Sequence, residues 1–386
     1  MSWSTVRADQ FCTLITDGTH DSPKPQQSGW KLITSKHLKG HYIDFDSANW
    51  ISEADYLKVI SRSAVEQWDI LFSMIGTIGN IYLEKNPHVE YACKNMGIFK
   101  FSGNKENALW MYYYLKSPQA KAYIQTHLRG STQAYVPLGG LREMPVPVPP
   151  QSVRNEIIAV LRPIDEKIEC NNAINDNLQQ QAAALFSSLY DRSNTEVRFT
   201  DLIQIPGGGT PKTGENTYWN GNIAFFTPKD VGTPYTLITE KTISKEGLSH
   251  CNSRLYPVNT VFVTARGTVG KVGMSGVPMA MNQSCYALVG KETHQLLVYF
   301  YTLKAVDRLK HKASGAVFDA ITTRDFESEQ IMKLSHDDAT AFLRVAEPMF
   351  QEVLNNNIEN LRLSTLRDSL LPKLMSGEID VSAVQL

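Results

Sequence analysis

The chain has 386 residues, of which 42% are hydrophobic and 20% are charged, a composition typical of a folded globular protein and not of a disordered one. Its 38 Lys and Arg against 39 Asp and Glu give a formal net charge of −1, which taken alone argues against a polybasic nucleic-acid binder. No stretch approaches the ~18 consecutive apolar residues that span a bilayer. The five cysteines are far apart and form no Cys-x-x-Cys pair, so we expect reduced thiols in a cytoplasmic protein.

An internal repeat is the main feature of the chain. An apolar segment that begins at Leu14 leads into a loop rich in Pro and Lys, and a similar segment that begins at Leu202 leads into Gly207–Lys212. Farther on, a strand-like run ends in Gly76-Thr77-Ile78-Gly79, and its partner ends in Gly267-Thr268-Val269-Gly270. Short β-branched and aromatic runs broken by Gly and Pro predict a mixed α/β domain in each half. We interpret the glycine turns as structural, supplying positive φ.

Each half ends in a long predicted helix. Positions 157–189 and 342–374 step by four and three residues, the a/d spacing of a coiled coil, and two Asn fall at the same steps in both copies. A polar pair in an apolar seam fixes register and partner orientation. Arg367 stands where the other copy has Ala182, so the helices are not equivalent in detail. The predicted helix-pairing residues are Asn171, Asn175, Asn356, Asn360, Leu178, Leu185, Leu363 and Leu370.

We therefore predict two similar α/β domains separated by two long antiparallel coiled-coil helices, with a pseudo-twofold internal repeat. The boundaries are 1–150 for domain 1, 151–192 for helix 1, 193–335 for domain 2, and 336–386 for helix 2 with a C-terminal tail. The proline-rich segment 144–150 predicts a stiff, extended connector into helix 1. Its counterpart, 330–334, lacks prolines, which leaves the entry into helix 2 open.

The net charge is unevenly distributed. Residues 1–150 carry +2 and residues 193–335 carry +3, whereas the predicted helices carry −2 and −4. Duplex DNA is bound by local cationic loops, and the remaining surface can carry either sign. The near-zero total is thus compatible with two mildly basic domains that contact DNA, although a charge of +2 is also within ordinary variation.

Catalytic motifs are absent from the sequence. Lys212 and Thr213 follow Pro211, which has no N–H for a phosphate loop. The segment Asn86-Pro87-His88 does not match the motif of an amino-methyltransferase. Asp17, His20 and Asp21 could be considered as metal ligands, but we interpret them as a polar turn. We therefore expect neither a catalytic nor a metal site.

Several segments together resemble the DNA-specificity subunit of type I restriction–modification systems over the full length of the chain. They are Asp17–His20, Leu32–Lys36, Gly208–Pro211, Tyr218–Gly221, Thr227–Asp230, the proline connector with its helix, and Leu366–Ile379. The resemblance implies a non-catalytic subunit whose two target-recognition domains each read half of a split, asymmetric sequence in double-stranded DNA. It also implies docking of two methyltransferase subunits and of restriction subunits with translocase activity, and these partners would bind S-adenosylmethionine, ATP and Mg²⁺.

Basic and polar residues on glycine-rich loops are the candidates for DNA contact. Arg and Gln suit bidentate contacts to bases, whereas Lys and hydroxyl groups more often touch phosphate. For each residue, the alternative that it is an ordinary solvent-exposed side chain without DNA contact stays open. The candidates are Lys24, Lys36, Thr77, Arg129, Ser131 and Gln133 in domain 1, and Lys212, Lys229, Arg266, Thr268, Lys271 and Ser314 in domain 2.

Two other classes of function remain open. One is a scaffold or decoy that binds methyltransferase subunits without reading sequence. The other is a self-contained methyltransferase or nuclease, against which the missing motifs argue.

Overall fold

The computed structural model describes residues 3–40, 42–232, 234–312 and 320–381, and it divides into two compact units. Unit 1 comprises residues 1–169 and 362–386, and unit 2 comprises residues 170–361. Each unit therefore combines one of the two α/β regions of the chain with segments of both long helices.

Unit 1 begins with short strands and ends in the first long helix. Its elements in chain order are β1 (Ser4–Arg7), α1 (Ala8–Phe11), β2 (Leu14–Asp17), β3 (Trp30–Ile33), β4 (Asn49–Ile51), α2 (Glu53–Ser63), β5 (Ile70–Ser73), β6 (Ile81–Leu83), β7 (Tyr91–Cys93), β8 (Met96–Lys100), α3 (Lys105–Lys116), α4 (Pro118–Thr126), α5 (Leu138–Glu143), β9 (Pro145–Val148) and α6 (Gln151–Asp191), which continues into unit 2 after Glu169.

The described strands of unit 1 form three sheets. One sheet has the antiparallel order β2-β8-β5-β6, and β1 pairs with β9 in a separate ladder. The third has the order β4-β3-β7, in which β3 and β7 run parallel and Ile33 lies opposite Cys93. The fully buried Phe72, Phe99 and Trp110 lie in the core where the four-stranded sheet and α3 meet.

Local signals in the sequence account for where the helices of unit 1 begin. The hydroxyl of Ser52 accepts a hydrogen bond from the amide of Asp55 at 3.1 Å, and Asn104 and Ser117 cap α3 and α4 in the same way. Each side chain satisfies a backbone donor that the first helical turn leaves unpaired. The aromatic run in α3 is mostly core, with Tyr113 and Tyr114 buried and Tyr112 half-buried.

Unit 2 repeats this order. Its elements are β10 (Thr195–Arg198), α7 (Phe199–Leu202), β11 (Ile203–Gln204), β12 (Trp219–Phe226), β13 (Tyr235–Thr236), β14 (Lys241–Ile243), α8 (Lys245–Ser249), β15 (Val261–Thr264), β16 (Val272–Ser275), β17 (Met279–Met281), β18 (Cys285–Gly290), α9 (Gln295–Lys312), α10 (Thr323–Glu327), β19 (Gln330–Lys333) and α11 (His336–Ser376), which enters unit 1 at Arg362.

The sheets of unit 2 match those of unit 1 strand by strand. The order β11-β18-β15-β16, extended by β13, corresponds to the four-stranded sheet, and β14-β12-β17 corresponds to the three-stranded one. The parallel pair is also repeated, since β12 runs parallel to β17 and Phe226 lies opposite Met281. The predicted repeat of two α/β domains is therefore confirmed at the level of strand pairing.

The two long helices are 41 residues each, and they pack antiparallel within unit 2. The side-chain amide of Asn171 donates to Oδ1 of Asn360 at 2.9 Å, and that of Asn356 donates to Oδ1 of Asn175 at 2.9 Å. Asn171, Asn175 and Asn356 are buried, so each polar contact replaces hydrogen bonds to water. Leu178 and Leu185 are half-buried against the core of unit 2.

Within unit 1 the same helix pair carries a buried ion cluster. The Asp165 carboxylate of α6 lies 2.7 Å from Nη1 of Arg367 on α11 and 3.2 Å from Nζ of Lys116 on α3. Arg367, which the sequence comparison identified only as a mismatch, thus has a specific partner. Leu363 and Leu370 are half-buried on this part of α11, and Leu370 packs against the core of unit 1.

The segments that lead into the helices have the same conformation in both units. Pro145–Val148 forms strand β9 and pairs with β1, and Gln330–Lys333 forms strand β19 and pairs with β10 in the equivalent register. The second connector, which lacks prolines, enters its helix from the same kind of ladder as the first. The second segment shows that the ladder holds this conformation without proline.

Candidate nucleic-acid interface

The loops of unit 1 that carry most of the predicted contact residues meet at one end of its sheets. Because β3 and β7 are parallel, the loops after Ile33 and Cys93 leave the same edge. Ser73 lies opposite Met96, so the turn after β5 lies at this end as well. A bridge between Ile75 and Tyr135 attaches the loop after α4 to that turn. We call this region the loop edge of unit 1: residues 18–20, 34–37, 74–80, 94–95 and 129–135.

Residues 18–20 cross over the turn at 94–95. The amide of Thr19 donates to the carbonyl oxygen of Cys93 at 2.9 Å, and the amide of Asn95 donates to that of Thr19 at 3.1 Å. A Cβ atom on Gly18 would overlap the carbonyl group of Cys93, so the approach of the two backbones requires glycine. The crossing is therefore fixed by backbone contacts that do not depend on the side chains around it.

His20 is held on this crossing at both ring nitrogens. Its Nε2 lies 2.8 Å from Oδ2 of Asp17, and its Nδ1 lies 2.8 Å from Oδ1 of Asn95. Arg62, near the end of α2, donates to the carbonyl oxygen of Gly18 at 3.0 Å and lies 3.5 Å from Oδ1 of Asp17. The side chain of His20 nevertheless remains 67% exposed, so a ligand can reach it.

The tip of the β5–β6 hairpin extends the loop edge. Gly76 and Gly79 have φ of +78° and +87°, as the sequence predicted for these turns. They leave Thr77 exposed at the tip. In the adjacent loop, Arg129 and Tyr135 exchange backbone hydrogen bonds of 2.9 and 2.8 Å, which close a turn whose exposed residues include Ser131 and Gln133.

Lys36 projects from a braced turn at the end of β3. The amide of Thr34 donates to Nδ1 of His37 at 2.9 Å, so this nitrogen is unprotonated. Burial lowers the pKa of His37, and the positive charge of Lys36 lowers it further. The buried neutral ring thus holds the turn, while the ammonium group of Lys36 is exposed to solvent.

Lys24 lies beside the loop edge rather than at its centre. It lines an open cavity of about 420 Å³ together with Thr19, Asp21 and Lys58. The ammonium group of Lys58 binds the carboxylate of Asp21 at 3.0 Å, and this contact, followed by the charge of Lys58, lowers the pKa of that carboxyl. Lys24 is exposed and adds positive charge to one wall of the cavity.

Unit 2 has an equivalent loop edge, formed by residues 208–210, 227–229, 265–271 and 282–284. The amide of Gly209 donates to the carbonyl oxygen of Met281 at 3.1 Å, as Thr19 donates to Cys93 in unit 1. The amides of Ala265 and Arg266 both donate to the carbonyl oxygen of Ser284, which places the β15–β16 hairpin beside this turn. Gly267 and Gly270, with φ of +82° and +73°, shape the tip.

The predicted residues of unit 2 are attached to this edge by specific contacts. The hydroxyl of Thr268 donates to the carbonyl oxygen of Pro228 at 3.3 Å, which brings the hairpin tip to the residue before Lys229. The amide of Lys271 donates to the hydroxyl of Thr264 at the base of the hairpin. Lys212 lies farther along the chain, where its carbonyl oxygen accepts a hydrogen bond from the indole of Trp219.

Eleven of the twelve predicted contact residues are exposed, and Ser314 lies outside the described residues. Exposure is necessary for DNA contact but is shared with much of the surface, so their role stays a prediction. The fold also brings to the two crossings polar side chains that were not among the twelve predicted contact residues: Asp17, His20, Arg62, Asn95, Thr210 and Gln283. The signal available was the glycine in both Gly18-Thr19-His20 and Gly208-Gly209-Thr210, which indicates a close backbone approach.

Other types of site have little support in the described part of the chain. No group of three or more His, Cys, Asp or Glu there could hold a metal ion. No described helix combines the length and the apolar character needed to cross a membrane.

Comparison with known proteins gives one consistent family. The family model for the type I restriction modification DNA specificity domain matches residues 3–180 and again residues 192–333. The HindI specificity subunit of Haemophilus influenzae is 22% identical over 85% of this chain and 90% of its own. The MjaIX specificity subunit of Methanocaldococcus jannaschii is 22% identical over 90% of this chain and 86% of its own.

A solved structure has the same fold. The type I restriction–modification S subunit from M. genitalium superposes with a TM-score of 0.56 at 14% sequence identity, covering 97% of this chain and 96% of the other. At this identity the likeness concerns the fold alone, and the family assignment depends on the matched sequence.

Proposed function

The chain belongs to the family of type I restriction–modification DNA-specificity subunits, and on that premise we propose that each unit reads one half of a bipartite, asymmetric DNA sequence through its loop edge. The observation that carries this proposal is the repetition of one architecture with different side chains. Both units have the same strand order and the same converging loops, whereas the residues on those loops differ. Two equivalent frameworks with different surfaces are suited to reading two different half-sites.

The residues on the loop edges fall into two groups, one suited to phosphate contacts and one suited to base contacts. Lys36 and Lys229 occupy the same position after the parallel strand pair, and both are exposed. Lysines with free access to solvent are suited to phosphate contacts, which set the register of a protein on the duplex. Arg129, Gln133 and Arg266 have the bidentate groups that read base edges in the major groove.

We further propose that this chain is the non-catalytic member of a larger assembly. Two methyltransferase subunits would bind it and flip the target adenine, and restriction subunits would join them for cleavage. S-adenosylmethionine, ATP and Mg²⁺ would bind those partners. The assembly would act in the cytoplasm.

Footprinting separates this function from that of a scaffold or decoy. The chain is assembled with its methyltransferase subunits, the complex is incubated with duplexes of random sequence, and the protected base pairs are mapped. A specificity subunit would protect two short DNA segments separated by a spacer of unspecified sequence. The chain on its own would neither methylate nor cut DNA. Uniform protection without sequence preference would favour the scaffold, and methylation by the lone chain would favour a self-contained enzyme.

A further inference from the structure

We infer that the side chains at the two backbone crossings, His20 with Asn95 in unit 1 and Thr210 with Gln283 in unit 2, determine base preference, one pair for each half-site. We call them the crossing pairs. This inference rests on the proposed function and adds to it the residues that would distinguish the two half-sites.

The backbone shows that the two pairs occupy the same place. The amide of Lys94 donates to the carbonyl oxygen of Ile33 at 2.9 Å, and that of Asn282 donates to the carbonyl oxygen of Phe226 at 3.0 Å. Lys94 and Asn282 are therefore equivalent, and Asn95 and Gln283 follow them directly, in a turn that has two residues before β8 in unit 1 and three before β18 in unit 2.

The segments on the other side of each crossing, residues 18–20 and 208–210, are also equivalent. The hydrogen bond from Thr19 to Cys93 matches that from Gly209 to Met281, so the next residues, His20 and Thr210, are also equivalent. In both units a side chain from this position bonds to the amide of the facing residue. Nδ1 of His20 contacts Oδ1 of Asn95, and the hydroxyl of Thr210 contacts Oε1 of Gln283.

The glycine of the crossing is constant while its polar side chains vary. A Cβ atom at Gly18 would overlap Cys93, and one at Gly208 would overlap Asn282, so glycine is needed at both positions. Asn95 is constrained by its φ of +54°, which favours Asn or Gly, whereas His20, Thr210 and Gln283 have no positive φ. The pairs are His with Asn in one unit and Thr with Gln in the other. A fixed backbone that presents different polar groups is what two readers of different sequences require.

The crossing pairs also lie where a duplex on the loop edge would meet them. In unit 1 the crossing lies between the hairpin tip that carries Thr77 and the turn that carries Lys36. In unit 2 the hairpin with Arg266 bonds to Ser284, the residue after Gln283. Cationic and hydroxyl groups suited to phosphate thus lie on both sides of the amide groups suited to bases.

The amides have the right chemistry for base contact. An Asn or Gln side chain has two donor hydrogens and an acceptor oxygen, so one bond within the pair leaves capacity for a ligand. The same groups bind adenine in a bidentate manner in the major groove. His20 is fixed by Asp17 and Asn95, and a side chain that is already ordered loses less conformational entropy on binding.

The alternative is that each pair merely stabilises its crossing. The two roles differ in what a substitution changes. A structural role would lower the thermal stability of the unit and weaken recognition as a whole, whereas a reading role would alter preference at one or two base pairs of a single half-site. The other half-site would still be read by the unsubstituted unit.

The test is selection of duplexes from a random library by the complete complex with methyltransferase subunits. Asn95→Gly removes the amide and tolerates the local φ of +54°, where alanine would be strained. Gln283→Ala removes the amide in unit 2. Asn86→Gly is the matched control, because this exposed asparagine lies between β6 and β7, at the opposite end of the sheets from the loop edge.

We expect Asn95→Gly to reduce base preference at one or two positions of one half-site by about 5- to 100-fold, the range for a lost bidentate contact. Gln283→Ala should do the same in the other half-site only, and Asn86→Gly should leave the wild-type selection unchanged. Thermal unfolding of all three variants should lie near that of the wild type. A second variant, His20→Gln, keeps a polar side chain at the crossing and should alter the same half-site as Asn95→Gly.

Three results would overturn the inference. The first is an unchanged selected sequence in both amide variants. The second is a change in the same half-site for both. The third is loss of all selection together with a lower unfolding temperature, which would indicate a structural role. If the wild-type complex itself selects no bipartite sequence, the proposed function fails, and the inference fails with it.

Discussion

The buried ion cluster of unit 1 allows the most quantitative prediction. Asp165 is only 10% exposed and is the shared partner of Arg367 and Lys116, whose side chains are 18% and 22% exposed. Burial alone would raise the pKa of the Asp165 carboxyl, but the charge of Lys116 and the hydrogen bond from Arg367 outweigh burial and lower it. Asp165→Ala would leave two cations facing each other in a poorly solvated site.

Breaking a buried pair by removing one partner costs about 3–5 kcal/mol. For a unit of this size, 1 kcal/mol corresponds to roughly 2–4 °C, so the unfolding temperature of unit 1 should fall by roughly 6–20 °C. The matched control is Glu166→Ala, one residue farther along α6. Its partner Arg162 is 44% exposed and Glu166 itself 49%, and such surface pairs contribute about 0.3–0.5 kcal/mol.

Differential scanning calorimetry of the full chain measures both variants. The expected result is a large shift of one transition for Asp165→Ala and a shift of about 1–2 °C for Glu166→Ala. Replacing Asp165, Arg367 and Lys116 together with apolar residues of similar size should recover most of the loss, because no buried charge remains unpaired. Asp368, the other partner of Arg367, is 65% exposed and is solvated by water. Equal shifts for the two single variants would show that the buried cluster contributes no more to stability than an exposed ion pair.

Three further predictions follow from particular contacts. Asn356→Leu should destabilise unit 2 by about 1–3 kcal/mol because it leaves Oδ1 of Asn175 unpaired. The double variant with Asn175→Leu and Asn356→Leu should be close to neutral. A double-mutant cycle in urea measures the free energy of unfolding of each variant. Gly18→Ala should destabilise unit 1 by about 1–3 kcal/mol, because the new Cβ atom would overlap the backbone of Cys93. The control Gly139→Ala places its Cβ atom in open space on a helix and should be neutral or stabilising. Equal changes in the free energy of unfolding for the two variants would contradict the overlap at Gly18. The advantage of the wild type over Asp165→Ala should be complete above about pH 5, because the pKa of this carboxyl in the unfolded chain is the ordinary value of about 3.8. The advantage should decline below that pH and be lost as the pH falls through the lowered pKa of the folded chain; an advantage that grew in acid would contradict this sign.

The repeated elements could be predicted from the sequence because their signals are local. The glycine turns at 76–79 and 267–270 require positive φ, and the Asn steps in the two helices recur at the same spacing, so each copy supported the interpretation of the other. The same approach failed at Arg367, where comparison of the copies showed only a mismatch. Its partner Asp165 lies on the other long helix, and the contact depends on a third residue, Lys116, from α3.

The crossing pairs could not be predicted for a similar reason. His20 and Asn95 are 75 residues apart, and they meet because β2 and β8 pair with Asp17 opposite Gly97, which brings the residues after β2 to the turn before β8. A single sequence indicates strands but not which strands pair or in which direction. Asp17 and His20 were therefore visible as a polar turn, whereas their place on a loop edge beside Asn95 required the fold.

The proposed role of this chain is to give a type I system its bipartite DNA specificity. The most direct measurement is genome-wide mapping of methyladenine in cells that carry the gene and in cells from which it has been deleted. We expect deletion to remove methylation at one split, asymmetric motif and to leave every other motif intact. Unchanged methylation after deletion, in cells that express the methyltransferase subunits, would contradict it.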